Sequence, residues 1–324
     1  MFGHNNLCEF MRIAHLSDLH FTTFFSNNNL QQIELALRFA IEKQVNHIAI
    51  TGDLTDNAVP KDFIILRKLF EKLNLLDHNK LSLVIGNHDI FGGVQTAEDI
   101  FNFPEKCGKV VYRQKINSFY NFFPELFEGS LNYNPLDVFP FVKKIGDFLL
   151  IGLNSIAEYS MVSNPFASNG IIELSQLNTI SEILENYQDE KYRKIVLVHH
   201  HFNKMNVTEN SPGGFWQKIE KQTMKLRKKK RLLKIFKHFG VELVLHGHYH
   251  VSREYSRKGI IFSNAGASLK GPEKGEININ FIDIGKKSIN VDVINLSSDK
   301  LLIDSKDLFY KDLITDRLLE LEVA

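Results

Sequence analysis

Seven side chains of this 324-residue sequence have the types and spacing to hold metal ions. Asp18-Leu19-His20 sets a carboxylate and an imidazole two residues apart, so in an extended chain both project from one face. Gly52-Asp53 adds a carboxylate next to a residue without a Cβ, where backbone or ligand can approach closely. With its two oxygens a carboxylate is the natural bridge between two cations. Gly86-Asn87-His88-Asp89 supplies an amide oxygen and an adjacent imidazole, His199 follows an apolar run, and His248-Tyr249-His250 offers two more imidazoles. Such a mixture of nitrogen and oxygen donors suits Mn, Fe, Zn or Co better than an all-oxygen Mg or Ca site. Two such cations, about 3.5–4 Å apart, polarise a bound water and stabilise both the entering and the leaving oxygen at phosphorus. Taken singly these signals are ordinary, since Gly-Asp and Gly-Asn are turn pairs and a lone histidine after a strand is usually a satisfied core residue. Their conjunction is not.

The elements that must position these donors read as alternating strands and helices. Arg12 to Leu16 is a buried strand, Leu30 to Ala40 an amphipathic helix, His47 to Thr51 a strand, Phe63 to Leu73 a helix, and Leu81 to Ile85 a third strand. That order implies right-handed crossovers and a largely parallel sheet, with ligands gathering at the carboxyl ends of the strands. Each of the three strands ends in a donor. The pattern dissolves over 91–134, a Phe-, Asn- and Pro-rich stretch that reads as an irregular insertion with short helices near the site. A hairpin (Val138 to Val142, then Phe148 to Leu153), a helix (Leu174 to Tyr187) and a strand (Lys194 to Val198) follow. After a basic helix over 215–239, Val241 to Leu245 leads into His246, and period-two alternation to about Leu296 reads as antiparallel strands. No repeat or Gly/Ser-rich linker divides the chain, so one domain is expected over 11–296, with 1–10 as an extension and 297–324 as a tail.

Composition is that of a globular protein, 44% hydrophobic and 24% charged. No apolar run reaches the length of a membrane-spanning helix, and the first residues lack the basic start and apolar core of a signal peptide. Cys8 and Cys107 match no metal or redox spacing, which favours a reduced, cytoplasmic setting. Net charge is +1, but Lys218 to Lys237 holds ten Lys or Arg against one Glu, a local +9 that leaves −8 elsewhere.

At Asp18-x-His20, Gly52-Asp53-x-x-Asp56, Gly86-Asn87-His88-Asp89, His199 and Gly247-His248-x-His250 the chain resembles the calcineurin-like metallophosphoesterase superfamily. The motifs follow the family's order over most of the chain and are jointly specific. The resemblance implies an α/β fold, a four-layer α/β/β/α sandwich, with two divalent or trivalent transition metal ions at the strand ends. It implies that Asp18, His20 and His250 hold the first metal, that Asn87, His199 and His248 hold the second, and that Asp53 bridges them. His88 would then be no ligand but the group that assists the leaving oxygen, oriented by Asp56. One departure is His199-His200-His201-Phe202, where family members often have His-His-Pro. His199 is taken as the ligand because it directly follows Ile195 to Val198, His200 as a substrate contact, and His201 as structural. The mechanism implied is in-line attack by a metal-bridging hydroxide, cleaving a P–O bond.

The basic helix reads two ways: as a solvated crossover with Ile219, Leu226, Leu233 and Phe236 on its buried stripe, or as an anionic-substrate surface with Lys228 and Arg231 as contacts. The second reading admits an anionic lipid headgroup and a peripheral position at the inner face of a membrane. The substrate expected first is a small phosphodiester or nucleotide-type molecule, because class III cyclic-nucleotide phosphodiesterases are similar in size and motifs. The alternatives are a pyrophosphatase of the UDP-diacylglucosamine type in lipid A synthesis, an SbcD-type nuclease, and a scaffold without metals. A nuclease would need DNA-binding regions that are not evident here, and a scaffold would have no need of the complete donor set.

Overall fold

The structure is a computed structural model, and it describes residues 10–24, 29–94, 96–188, 192–202, 224, 226–269 and 276–297. Eleven strands among them form two sheets. The first runs in the order β11(Ile289–Ser297), β10(Glu276–Ile284), β1(Met11–Leu16), β2(His47–Thr51), β3(Leu81–Val84). Strands β1, β2 and β3 are parallel, while β10 and β11 are antiparallel. The second sheet is ordered β4(Phe141–Ile145), β5(Phe148–Leu153), β6(Arg193–Val198), β7(Val241–His246), β9(Ile260–Asn264), β8(Arg253–Arg257), with β5, β6, β7 and β9 parallel.

Side-chain alternation explains why the sheets stack. On β5, β6 and β7 the residues Leu150, Ile195, Leu197, Leu243 and Leu245 join the core shared with the first sheet. Their neighbours Leu149, Ile151, Val196, Val198 and Val244 face a second core on the opposite side. A strand buried on both faces is a continuous apolar run, and these strands read as such. Helices α1(Asn29–Glu42) and α2(Pro60–Lys72) pack Leu30, Ile33, Leu37, Phe63, Leu66 and Phe70 into the first core. Helices α6(Leu174–Asn186) and α7(Lys229–His238) pack Leu177, Ile180, Leu184, Leu232, Leu233 and Phe236 into the second. The result is helix, sheet, sheet, helix.

Three expectations need correction. The segment 91–134 is more regular than its sequence suggests: after the single turn α3(His88–Phe91) come α4(Ala97–Gly108) and α5(Tyr112–Phe122). Thr96 and Asp99 cap α4 reciprocally. Apart from the exposed Phe101, the phenylalanines of this region lie in the core or pack against it, with Phe63 stacked on Phe122 at 5.0 Å and Phe127 edge-on to Phe141 at 5.5 Å. Second, the basic helix does not run unbroken over 215–239. Residues 215–223 lie outside the described residues, Leu226 pairs with Gly170 in a bridge, and Lys228 takes a left-handed φ of 53°. Helix α7 therefore starts at Lys229. Third, the strands beyond His246 are not all antiparallel, because β9 pairs in parallel with β7. Residues 1–9 and 298–324, read as extension and tail, lie outside the described residues, while Ser297 closes β11.

Candidate metal centre

The carboxyl ends of β1, β2, β3, β6 and β7 bring the candidate donors together. Asp18, His20 and His250 each place one ligand atom within 4.8 Å of the others, and so do Asp53, His199 and His248. A further trio, His20, Asp53 and His88, links the two sets. Asn87 joins the second set through its Oδ1, 3.1 Å from His199 Nε2. The backbone bends sharply to allow this. Asp18, His20, Asp53 and His248 all take left-handed φ values, of 52°, 46°, 49° and 68°. Residues other than glycine seldom do so, and each such bend costs of order 1–3 kcal/mol that the surrounding structure must sustain.

Two glycines allow the close approach. A Cβ on Gly86 would stand 2.1 Å from both the amide nitrogen and Oδ1 of Asp53. One on Gly247 would lie 1.8 Å from Ser17 Oγ and 2.3 Å from Asp18 Oδ2.

Neighbouring groups aim the donors. His199 Nδ1 donates to the Thr51 carbonyl at 2.8 Å, which leaves Nε2, 3.3 Å from Asp53 Oδ2, as the nitrogen that could turn to a metal. The same carbonyl accepts from Ser17 Oγ at 3.1 Å. His20 Nδ1 donates to Asp56 Oδ1 at 3.2 Å, and His88 Nδ1 reaches the same oxygen at 3.2 Å. The His88 amide donates to Asp53 Oδ1 at 2.8 Å, and the His248 amide donates to Asp18 Oδ2 at 2.9 Å.

The donors fit metal ions on three counts. His248 Nε2 is buried with no hydrogen-bond partner among the described residues. Two imidazole nitrogens, His20 Nε2 and His250 Nε2, face each other at 3.1 Å, with Asp18 Oδ1 3.3 Å from the latter. And two carboxylates are buried among these imidazoles, Asp18 and Asp53, each 1% exposed. Buried charge of that kind needs a counter-charge.

In the protein without metals the histidines supply it. Burial opposes ionisation of Asp53, but His199, His88 and His20 outweigh burial and hold it well below the ordinary carboxylate range. Burial likewise opposes charging of His199 and His88, yet Asp53 (with Asp56 in the case of His88) pushes each up to about 9. His248 is the opposite case, lying well below its ordinary value because it is buried beside His200 and His199. It is held as a neutral imidazole whose Nε2 meets no partner among the described residues.

Not every expected site residue reaches the cluster. His200 is no substrate contact: it is fully buried, with Nδ1 at 2.8 Å from Ser155 Oγ and Nε2 donating to the Ser168 carbonyl at 3.1 Å. Its ring instead backs His248, at a centroid distance of 4.4 Å. His201 is also buried. Lys228 and Arg231 are exposed at the start of α7, and nothing described connects them to the donors. Asp56 has more to do than expected, since it holds His20 as well as His88. A role that spacing alone does not disclose belongs to Asp89. Its buried carboxylate accepts from the amides of Leu54, Thr55 and Gly86, tying the end of β2 to the end of β3. Its place in Gly-Asn-His-Asp was the only available signal.

A family profile described as calcineurin-like phosphoesterase matches residues 11–252. The chain belongs to this family. It is a phosphoric ester hydrolase of a family that uses a dinuclear metal centre, and the two sheets flanked by helices are that family's fold. Among solved structures it is similar to a dimetal phosphatase from Danio rerio, at 10% identity and a TM-score of 0.58, covering 89% of this chain and 98% of that one. A purple acid phosphatase from yellow lupin (Lupinus luteus) seeds shares 13% identity at a TM-score of 0.53, over 90% of this chain and 55% of that one. At such identities the likeness is one of fold. No curated protein sequence matches the chain.

Proposed function

We propose that this calcineurin-like phosphoesterase is a phosphodiesterase for small phosphodiester or nucleotide-type substrates, working with two transition metal ions drawn from Mn, Fe, Zn and Co. The observation that carries the metal assignment is the sharing of Asp53 between two sets of donors: Asp18, His20 and His250 on one side, Asn87, His199 and His248 on the other. When bound, the metals would activate water and neutralise charge on the phosphoryl oxygens. His88 stands beside both sets with 25% of its side chain exposed, while His20 is 11% exposed and His199 fully buried. Among these it is the group that substrate can reach. Its Nδ1 is turned to Asp56, which leaves Nε2 to give a proton to the departing oxygen. Asp56 holds that ring in one tautomer and steadies its charge.

A hydrolysis panel on metal-loaded protein tests the reading: bis(p-nitrophenyl) phosphate, p-nitrophenyl phosphate, cyclic AMP and a UDP-linked acyl sugar. Turnover of the diesters ahead of the monoester is expected. A preference for p-nitrophenyl phosphate would make the enzyme a phosphomonoesterase, and no turnover with metals bound would remove the hydrolase reading for this range.

One observation favours an amphiphilic substrate as the second reading, as in a lipid-linked pyrophosphate. The loop after β5 carries Met161 and Val162 at 77% and 94% exposure, on a turn built by buried Asn164 through bonds to the Ala157 and Glu158 carbonyls, both at 3.1 Å. Arg227 donates to the Ser163 carbonyl, so this apolar loop meets the start of the exposed basic segment Arg227, Lys228, Lys230 and Arg231. An apolar tip beside a basic segment is what an anionic lipid surface attracts. Sedimentation with vesicles rich in phosphatidylglycerol, and not with phosphatidylcholine alone, would support it; the tip variant Val162→Asp should then stay in solution.

A further inference from the structure

Behind the turn that carries His88 lies a cavity of about 390 Å³ that shares no residue with the donor cluster. Its floor is Asn57 and Ala58, the two residues after Asp56, together with Ile90 and Phe91 of α3. Helices α4 and α5 and the link between them flank it with Lys106, Lys109, Val110, Val111, Gln114 and Lys115. It thus exists because residues 97–122 fold as two helices against the turn that carries His88.

The charge of the cavity is one-sided. Three lysines line it, and none of its lining residues is acidic. Lys109 is neutralised from outside, by Glu105 at 2.6 Å. The other two converge on the floor. Lys115 Nζ donates to the Ala58 carbonyl at 3.1 Å. Lys106 Nζ packs against the next turn, so that a methyl group on Gly92 would lie 2.9 Å from it and 3.0 Å from the Asn57 carbonyl. Burial, then Lys106, lowers the Lys115 ammonium from its ordinary value, as expected of like charges brought together without a carboxylate. A carbonyl uses one of the three protons of an ammonium and leaves the others for an acceptor. The walls are apolar: Ile90, Phe91, Val110 and Val111. Asn57, Gln114 and Ser118 add neutral hydrogen-bonding groups to the lining. The volume is within the range of small-molecule sites, which are mostly apolar with a few placed polar groups.

We propose that this cavity is a binding site, separate from the metal centre, for a small anion that carries a phosphate or carboxylate on an apolar body. The anionic group sits between Lys106 and Lys115, and the apolar body lies against Phe91, Val110 and Val111. Neither lysine touches the donors, so the site stands whether or not the phosphodiesterase reading holds.

Titration calorimetry of phenyl phosphate into the metal-loaded protein decides the matter. Two binding events are expected for the wild type, one at the metals and one in the cavity. The double variant Lys106→Met/Lys115→Met should keep only the first, with its turnover of bis(p-nitrophenyl) phosphate within about two-fold of wild type. Inorganic phosphate, which lacks the apolar body, should bind the lysine-dependent site about ten-fold more weakly, the equivalent of one or two buried methylenes. Benzoate in place of phenyl phosphate separates carboxylate from phosphate ligands. Equal stoichiometry in wild type and double variant overturns the proposal, as does a single event in both. Should the double variant fail to fold, Val111→Asp, which puts an acid on an exposed position of the wall, must abolish the same event while leaving the melting temperature unchanged. Failure of the metal reading would look different, because it removes the lysine-independent event and spares the other.

Discussion

Replacing Lys143 by Met should stabilise the protein, and by an amount that depends on pH. Lys143 lies on β4 with no solvent exposure. Its Nζ donates to the Leu81 carbonyl at 2.8 Å, crossing from the second sheet to the first, and stands 5.2 Å from the centre of the Phe141 ring. Among the described residues, burial is the main influence on it and lowers its pKa from 10.5 to about 7. At 1.36 kcal/mol per unit, that shift amounts to about 5 kcal/mol against the charged form in the folded state. Below pH 7 the lysine is charged both folded and unfolded, so the whole cost is present. Between about pH 7 and 10.5 the unfolded chain holds a proton that the folded one has lost, and wild-type stability climbs by about 1.4 kcal/mol per pH unit. Methionine has a similar volume and no charge, but it orphans the Leu81 carbonyl, at about 1 kcal/mol. The variant should therefore be more stable than wild type by about 4 kcal/mol at pH 6, and the gap should close toward pH 10. Urea unfolding of both proteins at matched metal concentration, at pH 6, 7.5 and 9, measures the gap; groups common to both cancel in the difference. A gap that does not change with pH, or a variant less stable at pH 6, would show that Lys143 is not buried as a strained cation.

Other outcomes bear on the site. His88→Ala should retain both metals by elemental analysis and lose about 10²–10⁴ in kcat; an emptied centre would make His88 a ligand and refute its assigned role. Asp56→Ala should behave differently, because Asp56 holds His20 as well as His88. It should lose rate and also about 10–100-fold in affinity for one metal, and unchanged metal affinity would mean that the His20 contact orients nothing. Gly86→Ala would press a methyl group to within 2.1 Å of Asp53. Metal loading should fail while the far-ultraviolet circular dichroism stays near that of wild type, and full loading would contradict the close packing of the turn after β3 on the Asp53 carboxylate.

Much of the fold was legible because its signals are local. The strands β1, β2 and β6 and the helices α1 and α2 are apolar runs or amphipathic stripes with little competition, and each was placed to within a few residues. Helices α4 and α5 were not, because their stripes are confounded. On α4 Phe101 is exposed while Phe103 and Cys107 are buried, and Pro104 sits inside the helix. On α5 only Phe119 is buried. The basic helix was overextended for the converse reason: Leu226 keeps the apolar spacing, yet it is spent on a bridge to Gly170 that lies 56 residues away in sequence and leaves no local trace.

The chain by itself determined the family and most of the order of the elements, and it supplied the candidate donors. Donor types are covalent facts, and a strand that ends in Asp, Asn or His delivers that group to the carboxyl edge of a parallel sheet in any packing. Tertiary structure decided the rest. Three histidines in a row look alike in sequence, but the walls of the fold separate them: His199 turns its Nε2 toward Asp53, while His200 spends both nitrogens on Ser155 and Ser168. Asp56 gained a second partner only because the turns after β1 and β3 meet at its carboxylate. Which lone pair is left for a metal depends on what the other nitrogen touches, and such contacts join residues tens to hundreds of positions apart.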